Sequence, residues 1–260
     1  MKNKITIIKI GGNIIDNVKQ LDTFLVDFAK IQNAKILIHG GGKIASDLNK
    51  RLGIETIMND GRRITSTENL DTVTMVYAGL INKRIVAKLQ SNSCNALGLS
   101  GSDANCILAE KRPSTPIDFG WVGDVKYVNI ATIEFFLTNK ITPVFCAIGH
   151  DGDGQLLNTN ADTVAAEIAI AMSEDYDTEL IYCFEKNGVM MNMNDSSSVI
   201  QHIDSKMYSQ LLEQKIINEG MLPKMKNCFH ALQNKVAKVV LGNAAVINSN
   251  NEEPCTTLTL

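Results

Sequence analysis

The sequence predicts an α/β fold with a mainly parallel central sheet, and two observations near the start of the chain predict it. Residues 5–12 read Ile-Thr-Ile-Ile-Lys-Ile-Gly-Gly, a β-branched run that ends in two glycines. Ala34–His39 is a second apolar run, and three glycines follow it directly. Apolar residues at helical spacing come after each glycine loop. Strand, glycine loop and helix in this repeated order are typical of a right-handed parallel α/β sheet.

The later chain continues the alternation of strands and helices. Asp16 is predicted to cap the helix after the first loop, and Asn160 to cap a later one. Thr65 and Glu68 have the spacing of a capping box. The segment 107–128, which contains Trp121, is predicted to be a hairpin or flap. Further predicted strands lie at residues 96–101, 142–148, 180–184, 238–241 and, as a terminal edge strand, 256–260. A long predicted helix opens at the capping box and reaches to about Gln90. Further predicted helices lie at residues 131–139, 161–172, 207–214 and from 221 onward.

Composition excludes several classes of protein. The chain has 260 residues, 45% hydrophobic and 20% charged, with a net charge of −3. It lacks a basic run suited to nucleic acid or a membrane surface. Its apolar runs are far shorter than the roughly 20 residues that cross a bilayer. Six scattered cysteines without a Cys-x-x-Cys pair predict free thiols and a cytoplasmic location. The four histidines lack metal-ligand spacing, so we predict no metal site held by the protein.

Lys9 is unusual, because a lysine rarely ends a buried strand without a partner. Gly11 and Gly12 follow it, and backbone N–H groups at glycine loops bind anions. A single glycine loop is just as compatible with a tight turn that binds nothing. Two such loops at successive strand ends, one beside a lysine, favour an anion site at the carboxyl edge of the sheet. The long predicted helix that ends near Gln90 is compatible with an oligomer contact or with simple core packing.

The remaining motifs narrow the chemistry. Neither a Walker A pattern nor Gly-x-Gly-x-x-Gly is present, and there is no Gly-x-Ser-x-Gly. A second lysine, Lys224, follows Pro223 in the first turn of a predicted helix, where the helix field favours anions. The candidate site residues are two lysines, glycine loops and one aspartate, and no nucleophile is obvious among them. Such a set suits phosphoryl transfer, which depends on positioning and charge stabilisation.

Five segments together resemble the acetylglutamate kinases of the amino acid kinase family. They are Lys9-Ile-Gly-Gly, His39-Gly-Gly-Gly, Gly61-Arg62-Arg63-Ile-Thr, Asn158-Thr-Asn-Ala-Asp162 and Gly220-Met-Leu-Pro-Lys224. The resemblance implies a three-layer αβα sandwich formed by one domain, residues 1–260. An acceptor-binding half would span about residues 1–175, and a nucleotide-binding half about residues 176–260.

The resemblance also implies an activity. The enzyme would transfer the γ-phosphoryl group of ATP to the side-chain carboxylate of N-acetyl-L-glutamate, giving an acyl phosphate in arginine biosynthesis. Mg²⁺ would be carried by the nucleotide phosphates. No base is needed, because the attacking carboxylate is already ionised at neutral pH.

Site residues follow from the same resemblance, position by position. Lys9 and Lys224 would neutralise the moving phosphoryl group, and Asp162 would hold both lysines. The amides of Gly11, Gly12 and Gly41 would bind phosphate or developing charge. Arg63 would clamp the acceptor α-carboxylate as a planar fork. The expected acceptor-binding residues are Gly41, Gly42, Arg63 and Asn158. The expected nucleotide-binding residues are Gly11, Gly12, Glu185, Gly188, Ile216, Ile217 and Asn218.

Several alternatives remain open at this point. Arg63 could form a surface ion pair, and Asp162 could simply stabilise the N-terminus of its own helix. Most relatives carry Ser/Thr-Asp-Val-x-Gly where this chain has Phe-Glu-Lys-Asn-Gly at residues 184–188. The acceptor could be N-succinylglutamate or another small acid, or the chain could be a non-catalytic amino-acid sensor. Arginine-inhibited relatives have an extra N-terminal helix that links dimers into a ring. This sequence starts at its first predicted strand, so we expect a homodimer without arginine feedback.

Overall fold

A computed structural model describes residues 2–59, 62–192, 195, 198–217, 221–248 and 253–260. The chain divides into two compact units. The first, called unit 1 below, comprises the described residues of Met1–Lys35 and Ala165–Leu260. The second, unit 2, is Ile36–Val164. The first 35 residues therefore group with the C-terminal part of the chain, which the predicted boundary near residue 175 did not anticipate.

The elements alternate along the chain as predicted. The strands are β1 (Asn3–Ile10), β2 (Ala34–His39), β3 (Ile57–Asn59), β4 (Arg62–Ile64), β5 (Ala96–Leu99), β6 (Ile107–Lys111), β7 (Gly123–Val128), β8 (Thr142–Cys146), β9 (Ile148–His150), β10 (Leu156–Asn158), β11 (Tyr176–Cys183), β12 (His202–Ile203), β13 (Lys238–Gly242) and β14 (Thr256–Leu258). The α-helices are α1 (Gly12–Asp16), α2 (Val18–Lys30), α3 (Gly42–Leu52), α4 (Thr67–Thr74), α5 (Asn82–Ser91), α6 (Ile130–Thr138), α7 (Ala161–Met172), α8 (Ser205–Glu213) and α9 (Leu222–Gln233).

Unit 1 contains five strands in the order β12-β14-β13-β11-β1. The β1·β11, β11·β13 and β12·β14 ladders are parallel, and β13·β14 is antiparallel. The isoleucines of β1 are fully buried, as expected for a strand covered on both faces. The prediction that the terminal strand lies at the sheet edge is wrong, because β12 pairs along the far side of β14.

Helix α2 packs one apolar face, as predicted. Leu21, Phe24, Leu25 and Phe28 are all buried. The predicted cap at Asp16 is wrong, because the Asn17 side chain accepts a hydrogen bond from the Gln20 N–H at 3.2 Å. Asp16 instead ends the short helix α1, which the apolar spacing did not reveal.

Unit 2 contains the parallel trio β2-β8-β5 and a second sheet in the order β10-β9-β6-β7. The β6·β7 pair is antiparallel, which confirms the hairpin predicted around Trp121. β9 and β10 form another antiparallel pair, and between them Asp151 Oδ1 accepts bonds from the N–H groups of Asp153 and Gln155. Since most ladders of the large-sheet strands in both units are parallel, the predicted α/β class with a mainly parallel sheet is confirmed.

The long predicted helix is interrupted in its middle. Met75–Ile81 is π-helical and lies between α4 and α5. The capping box is wrong by one residue, because Ser66 Oγ, not Thr65, accepts from the Asn69 N–H at 3.2 Å. Glu68 bonds to the Ser66 hydroxyl at 2.8 Å. Thr65 is thereby left to bond elsewhere in unit 2. By contrast, the predicted cap of α7 is confirmed, since Asn160 Oδ1 accepts from the Asp162 and Thr163 N–H groups.

Across the described ranges, none of the helices combines the length and the apolar character needed to span a membrane.

Candidate functional site

Lys9 and Lys224 both neighbour Tyr182 in unit 1, one through strand pairing and the other through its side chain. Lys9 is half-buried near the carboxyl end of β1 and is in register with Tyr182 of β11. Residues in register on neighbouring strands project from the same sheet face. Lys224, in the first turn of α9, places Nζ 4.8 Å from the Tyr182 ring centroid and 5.9 Å from that of Phe184. The structure therefore brings the two predicted cations to one region at the strand ends.

The charges of Lys9 and Lys224 both influence the pKa of the Cys183 thiol. Complete burial raises the pKa of Cys183 to about 12, and the charges of Lys9 and Lys224 oppose this rise. Both ammonium groups therefore act electrostatically on the last residue of β11. Two cations at the carboxyl end of parallel strands form a field suited to a polyanion.

The two glycines after β1 have different roles. The Gly11 N–H donates to the carbonyl oxygen of Cys183 at 3.0 Å and so continues the pairing of the two strands. This corrects the predicted role of that amide, because its proton is already used within the sheet. A Cβ at Gly12 would meet nothing within 4 Å among the described residues. Open space above the first residue of α1 leaves Gly12 as the position where a ligand can approach the backbone.

Most of the predicted nucleotide-binding residues line a cavity of about 220 Å³. Glu185 lines it together with Lys224, and its Oε2 accepts a hydrogen bond from Asn13 Nδ2 at 2.6 Å. Gly188 lies on the wall, where a Cβ would be 2.4 Å from Thr256 Oγ1. Asn218 lies outside the described residues. The full lining is Phe184, Glu185, Lys186, Gly188, Val189, Met190, Ile216, Ile217, Met221 and Lys224.

Arg63 of unit 2 is buried, with 7% of its surface exposed. Its Nη2 donates to the Gly42 carbonyl at 3.0 Å and to Ser46 Oγ at 2.8 Å. Its Nη1 donates to Thr56 Oγ1 at 3.2 Å. These acceptors are all neutral, and no ion pair of Arg63 occurs within the described ranges. The surface ion-pair interpretation is therefore wrong, since the guanidinium is held inside the unit by uncharged groups.

Two buried asparagines extend the surroundings of Arg63. Asn49 donates from Nδ2 to Thr56 Oγ1 at 2.9 Å and to Asn69 Oδ1 at 2.7 Å. Asn69 in turn donates to the Glu55 carbonyl at 2.9 Å. These bonds fix the hydroxyl and amide groups that surround the guanidinium. A buried cation held by neutral dipoles keeps its charge available for an anionic ligand.

Asn158 joins the Arg63 segment to the flap. Its Nδ2 donates to Thr65 Oγ1 at 3.0 Å, and its N–H donates to the Trp121 carbonyl at 2.9 Å. Trp121 also donates from its own N–H to the Thr65 carbonyl at 2.8 Å. Its indole Nε1 donates to Thr67 Oγ1 at 3.1 Å. The flap backbone is thus bound between two segments that the sequence assigned to the acceptor site.

The second glycine loop packs against the π-helical segment. A Cβ at Gly41 would lie 2.2 Å from Ile81 Cδ1 and 3.0 Å from Tyr77 Cδ1, and φ there is +156°. At Gly42 the nearest atom to a Cβ would be the Tyr77 hydroxyl, at 3.7 Å. Burial raises the pKa of Tyr77, while Arg63 opposes this through its charge and a hydrogen bond. Gly41, Gly42 and Arg63, predicted separately, therefore meet around one tyrosine.

Asp162 lies in the first turn of α7 and is half-buried. Its backbone N–H bonds to the Asn160 side chain at 2.8 Å. Asp162 belongs to unit 2, whereas Lys9 and Lys224 belong to unit 1. The predicted role of Asp162 as the group that holds both lysines therefore stays a prediction.

The structure adds residues that the sequence analysis did not assign. Ser46, Thr56 and Tyr77 surround Arg63, and none carries a motif by which it could have been found. His39 and Asn82 are fully buried polar residues beside the second glycine loop. A signal existed for both: His39 ends an apolar strand directly before a glycine, and Asn82 falls on the buried stripe of its helix with Ile85 and Leu89. Polar residues at such positions need a partner.

Among the described residues, no group of three or more His, Cys, Asp or Glu side chains is arranged to hold a metal ion.

Comparison with known proteins extends over nearly the whole chain. The sequence matches the Amino acid kinase family over residues 4–243. An acetylglutamate kinase of Cytophaga hutchinsonii is 52% identical over 252 residues, which are 95% of this chain and 96% of that protein. An acetylglutamate kinase of Phocaeicola vulgatus is 47% identical over 251 residues, 96% of this chain and 98% of that protein. The crystal structure of smu.665 from Streptococcus mutans UA159 has a TM-score of 0.79 at 25% identity and covers 98% of both chains.

Proposed function

Because the chain belongs to the amino acid kinase family, we propose that it catalyses the reaction named in its acetylglutamate kinase relatives. It transfers the γ-phosphoryl group of ATP to the side-chain carboxylate of N-acetyl-L-glutamate. The product is an acyl phosphate, an intermediate of arginine biosynthesis. The α/β fold with a mainly parallel sheet is the fold of this family.

The observation that carries the proposal is the buried guanidinium of Arg63. It has 7% exposure and neutral partners, so its charge is available to an anion. A planar guanidinium matches a carboxylate as a two-pronged donor. We assign it to the α-carboxylate of the acceptor, which exchanges with the hydroxyl groups of Ser46 and Thr56 on binding. Asn158, tied to the same segment through Thr65, is the proposed second contact to that ligand.

The phosphoryl group is assigned to the lysines of unit 1. Lys9 and Lys224 both act on the end of β11 and are the proposed neutralising charges. Charge stabilisation of this kind supplies most of the catalysis in phosphoryl transfer. Asp162 is proposed to orient both lysines, an assignment supported by the family resemblance. The Gly12 amide, with open space above it, is the proposed phosphate donor in the first loop.

The nucleotide base is assigned to the cavity beside Lys224. Its walls include Ile216, Ile217 and Val189, which suit a flat apolar ring, while Glu185 and Gly188 offer polar and backbone groups. Asn218 is proposed as a further nucleotide contact on the strength of the resemblance. We propose that Mg²⁺ arrives with the ATP phosphates as part of the substrate.

The chemistry needs no general base. The side-chain carboxylate of the acceptor is ionised at neutral pH and is itself the nucleophile. It attacks the γ-phosphorus, the bond from the γ-phosphorus to the β–γ bridging oxygen breaks, and ADP leaves with that oxygen. What the protein supplies is position and positive charge.

The remaining proposals concern organisation. We assign nucleotide binding to unit 1 and acceptor binding to unit 2, because the predicted residues for each fall almost wholly within one unit.

A homodimer is proposed, supported by the exposed Met75 and Leu80 on the π-helical segment. A cytoplasmic location is supported by the free state of all six cysteines. Sedimentation of the purified chain tests the dimer, and a hexamer would overturn it.

The function is tested by ADP release with glutamate, N-acetylglutamate and N-succinylglutamate in parallel. The proposal predicts the highest kcat/KM for N-acetylglutamate and little turnover with free glutamate. Preference for the succinyl compound would change the acceptor but keep the enzyme class. Binding of an acceptor without any ADP release would support the sensor interpretation and end the kinase proposal.

A further inference from the structure

His39 has no role in the mechanism above, yet it is buried and both of its ring nitrogens have hydrogen-bond partners. The ring ends β2 with 0% exposure, at the entrance to the second glycine loop. Its Nδ1 lies 2.8 Å from the carbonyl oxygen of the next residue, Gly40. Its Nε2 lies 3.1 Å from Nδ2 of Asn82, which is itself 1% exposed. Both ring nitrogens therefore have one partner each.

These partners determine where the imidazole proton sits. The Gly40 carbonyl can only accept, so Nδ1 must carry the proton. The Asn82 amide is oriented by two other contacts: its Nδ2 donates to the Val144 carbonyl at 2.9 Å, and its Oδ1 accepts from Lys83 Nζ at 3.2 Å. The amide nitrogen thus faces the ring and donates to Nε2. Two independent contacts require the same neutral tautomer.

The neighbouring packing preserves this arrangement. A Cβ at Gly98 would lie 1.8 Å from Asn82 Oδ1, so a glycine at this strand position leaves room for the amide. Burial, assisted by the charge of Lys83, lowers the pKa of His39 to about 4 against the raising effect of the Gly40 bond. The ring therefore remains neutral at physiological pH and keeps the tautomer that the hydrogen bonds require.

The bond to Gly40 fixes the direction of the next amide. The Gly40–Gly41 peptide is trans, because the one cis bond found in the described residues is Thr115–Pro116. In a trans peptide the carbonyl and the following N–H point in opposite directions. Since the Gly40 carbonyl is turned to the buried ring, the Gly41 N–H points away from it. Within the described ranges, no group accepts a hydrogen bond from that N–H.

We propose that His39 and Asn82 are positioning residues that aim the Gly41 N–H at the negative charge developing on the transferred group. This inference rests on the proposed kinase function and on the family resemblance, which implies that the Gly41 amide is a donor to phosphate or developing charge. His39 does not exchange a proton with substrate. It acts through Gly40, and Asn82 acts through His39.

The first test reads the tautomer directly and needs no turnover. The full chain is labelled with ¹⁵N-histidine, and the His39 resonances among the four histidines are identified by their loss in His39→Asn. The expected spectrum at pH 7 shows a protonated Nδ1 and an unprotonated Nε2. A ring protonated at Nε2 would overturn the inference, whether or not the chain proves to be a kinase.

The second test uses a matched pair of variants. Asparagine at position 39 offers an N–H donor near the place of Nδ1, whereas glutamine offers its amide near Nε2 and no donor to Gly40. We expect His39→Gln to lower kcat by roughly tenfold or more with nearly unchanged KM values, and His39→Asn to remain within about threefold of the parent chain.

Thermal unfolding of both variants separates positioning from stability. A purely structural role would lower melting temperature and activity together in the two variants, and that result would overturn the inference. Full kcat in His39→Gln would overturn it too. Absence of turnover in the unmodified chain would refute the proposed function alone, because the tautomer measurement would still decide the orientation of the loop.

Discussion

Arg63 donates a hydrogen bond from Nη2 to the carbonyl oxygen of Gly42 at 3.0 Å. This bond ties a buried cation to the first residue of α3 and thus to the second glycine loop. Ser46, one turn further along α3, accepts from the same Nη2 and also donates to the Gly42 carbonyl at 3.0 Å. The guanidinium and the loop are therefore positioned together, so a carboxylate on Arg63 would lie beside the loop amides.

Substitution of Arg63 tests this relationship. Arg63→Ala should raise KM for the acceptor by roughly tenfold or more with a smaller change in kcat, because it removes a charged two-pronged contact present before and during the reaction. Arg63→Lys should recover only part of the loss, since an ammonium group lacks the planar fork. The adjacent and exposed Arg62 provides the control, and Arg62→Ala should leave the acceptor KM unchanged. An effect of Arg63→Ala confined to the KM for ATP would refute the assignment.

Lys9 is predicted to matter for the chemical step. Lys9→Ala should lower kcat by roughly 100-fold or more, the scale of losing one preorganised charge donor. Lys4→Ala is the matched control, because Lys4 lies on the same strand but pairs with Glu179 at 2.9 Å and is 51% exposed. Steady-state kinetics with saturating substrates measures the difference. Wild-type turnover in Lys9→Ala, or an equal loss in Lys4→Ala, would remove Lys9 from the site.

The two glycine loops should respond differently to alanine. Gly12→Ala meets open space and should fold with an unchanged melting temperature, while obstructing phosphate and raising the KM for ATP. Gly41→Ala places a Cβ 2.2 Å from Ile81 at a φ of +156°, so it should destabilise the chain. Overpacking of this kind costs about 1–3 kcal/mol. Thermal unfolding of both variants, followed by kinetics of Gly12→Ala, checks this contrast; equal melting temperatures for the two variants would contradict it.

The buried His39 predicts a pH dependence of stability. Its pKa is lowered from 6.5 to about 4 in the folded chain, mainly by burial and further by Lys83, while the bond to Gly40 opposes the shift. Below pH 6.5 the unfolded chain binds the proton first, so stability present above pH 6.5 is lost as the pH falls towards 4. Between pH 7 and pH 5 this amounts to about 2 kcal/mol.

Chemical denaturation at the two pH values measures the effect. The unmodified chain should lose about 2 kcal/mol more free energy of unfolding than His39→Asn over this interval, since asparagine does not titrate. An identical loss in both proteins would show that the ring is not held neutral by burial.

Much of the fold could be predicted because the local sequence of the core segments is enough to indicate their secondary structure. The β-branched runs of β1 and β2 and the glycines after them suffice to indicate parallel strands with loops at their carboxyl ends. Cap positions were missed by one residue at Asp16 and Thr65, because neighbouring polar residues compete for the same N–H groups. The π-helical turn was missed because its apolar spacing does not differ enough from that of an α-helix.

The sequence was enough to predict which charged residues belong to the candidate site, but not which residues surround them. Lys9 stood out as a cation at a strand end beside glycines, and Lys224 as a cation in the first turn of a helix, whereas Arg63 was assigned through the family resemblance. The neutral partners of Arg63 come from segments as distant as Ser46 and Thr56, and only the tertiary fold brings them together. The bond from Gly11 to Cys183 likewise depends on a strand far along the chain. Local sequence cannot specify such contacts.

Detection of the acyl phosphate itself is the decisive test of the proposed kinase activity. The chain is incubated with ATP, Mg²⁺ and N-acetyl-L-glutamate, and hydroxylamine is added to convert any acyl phosphate to a hydroxamate. If the chain is this kinase, hydroxamate should form in amounts equal to the ADP released, and almost none should form when Lys9→Ala replaces the parent chain. Release of ADP without hydroxamate, or no ADP with any acylated glutamate, would contradict the proposed activity.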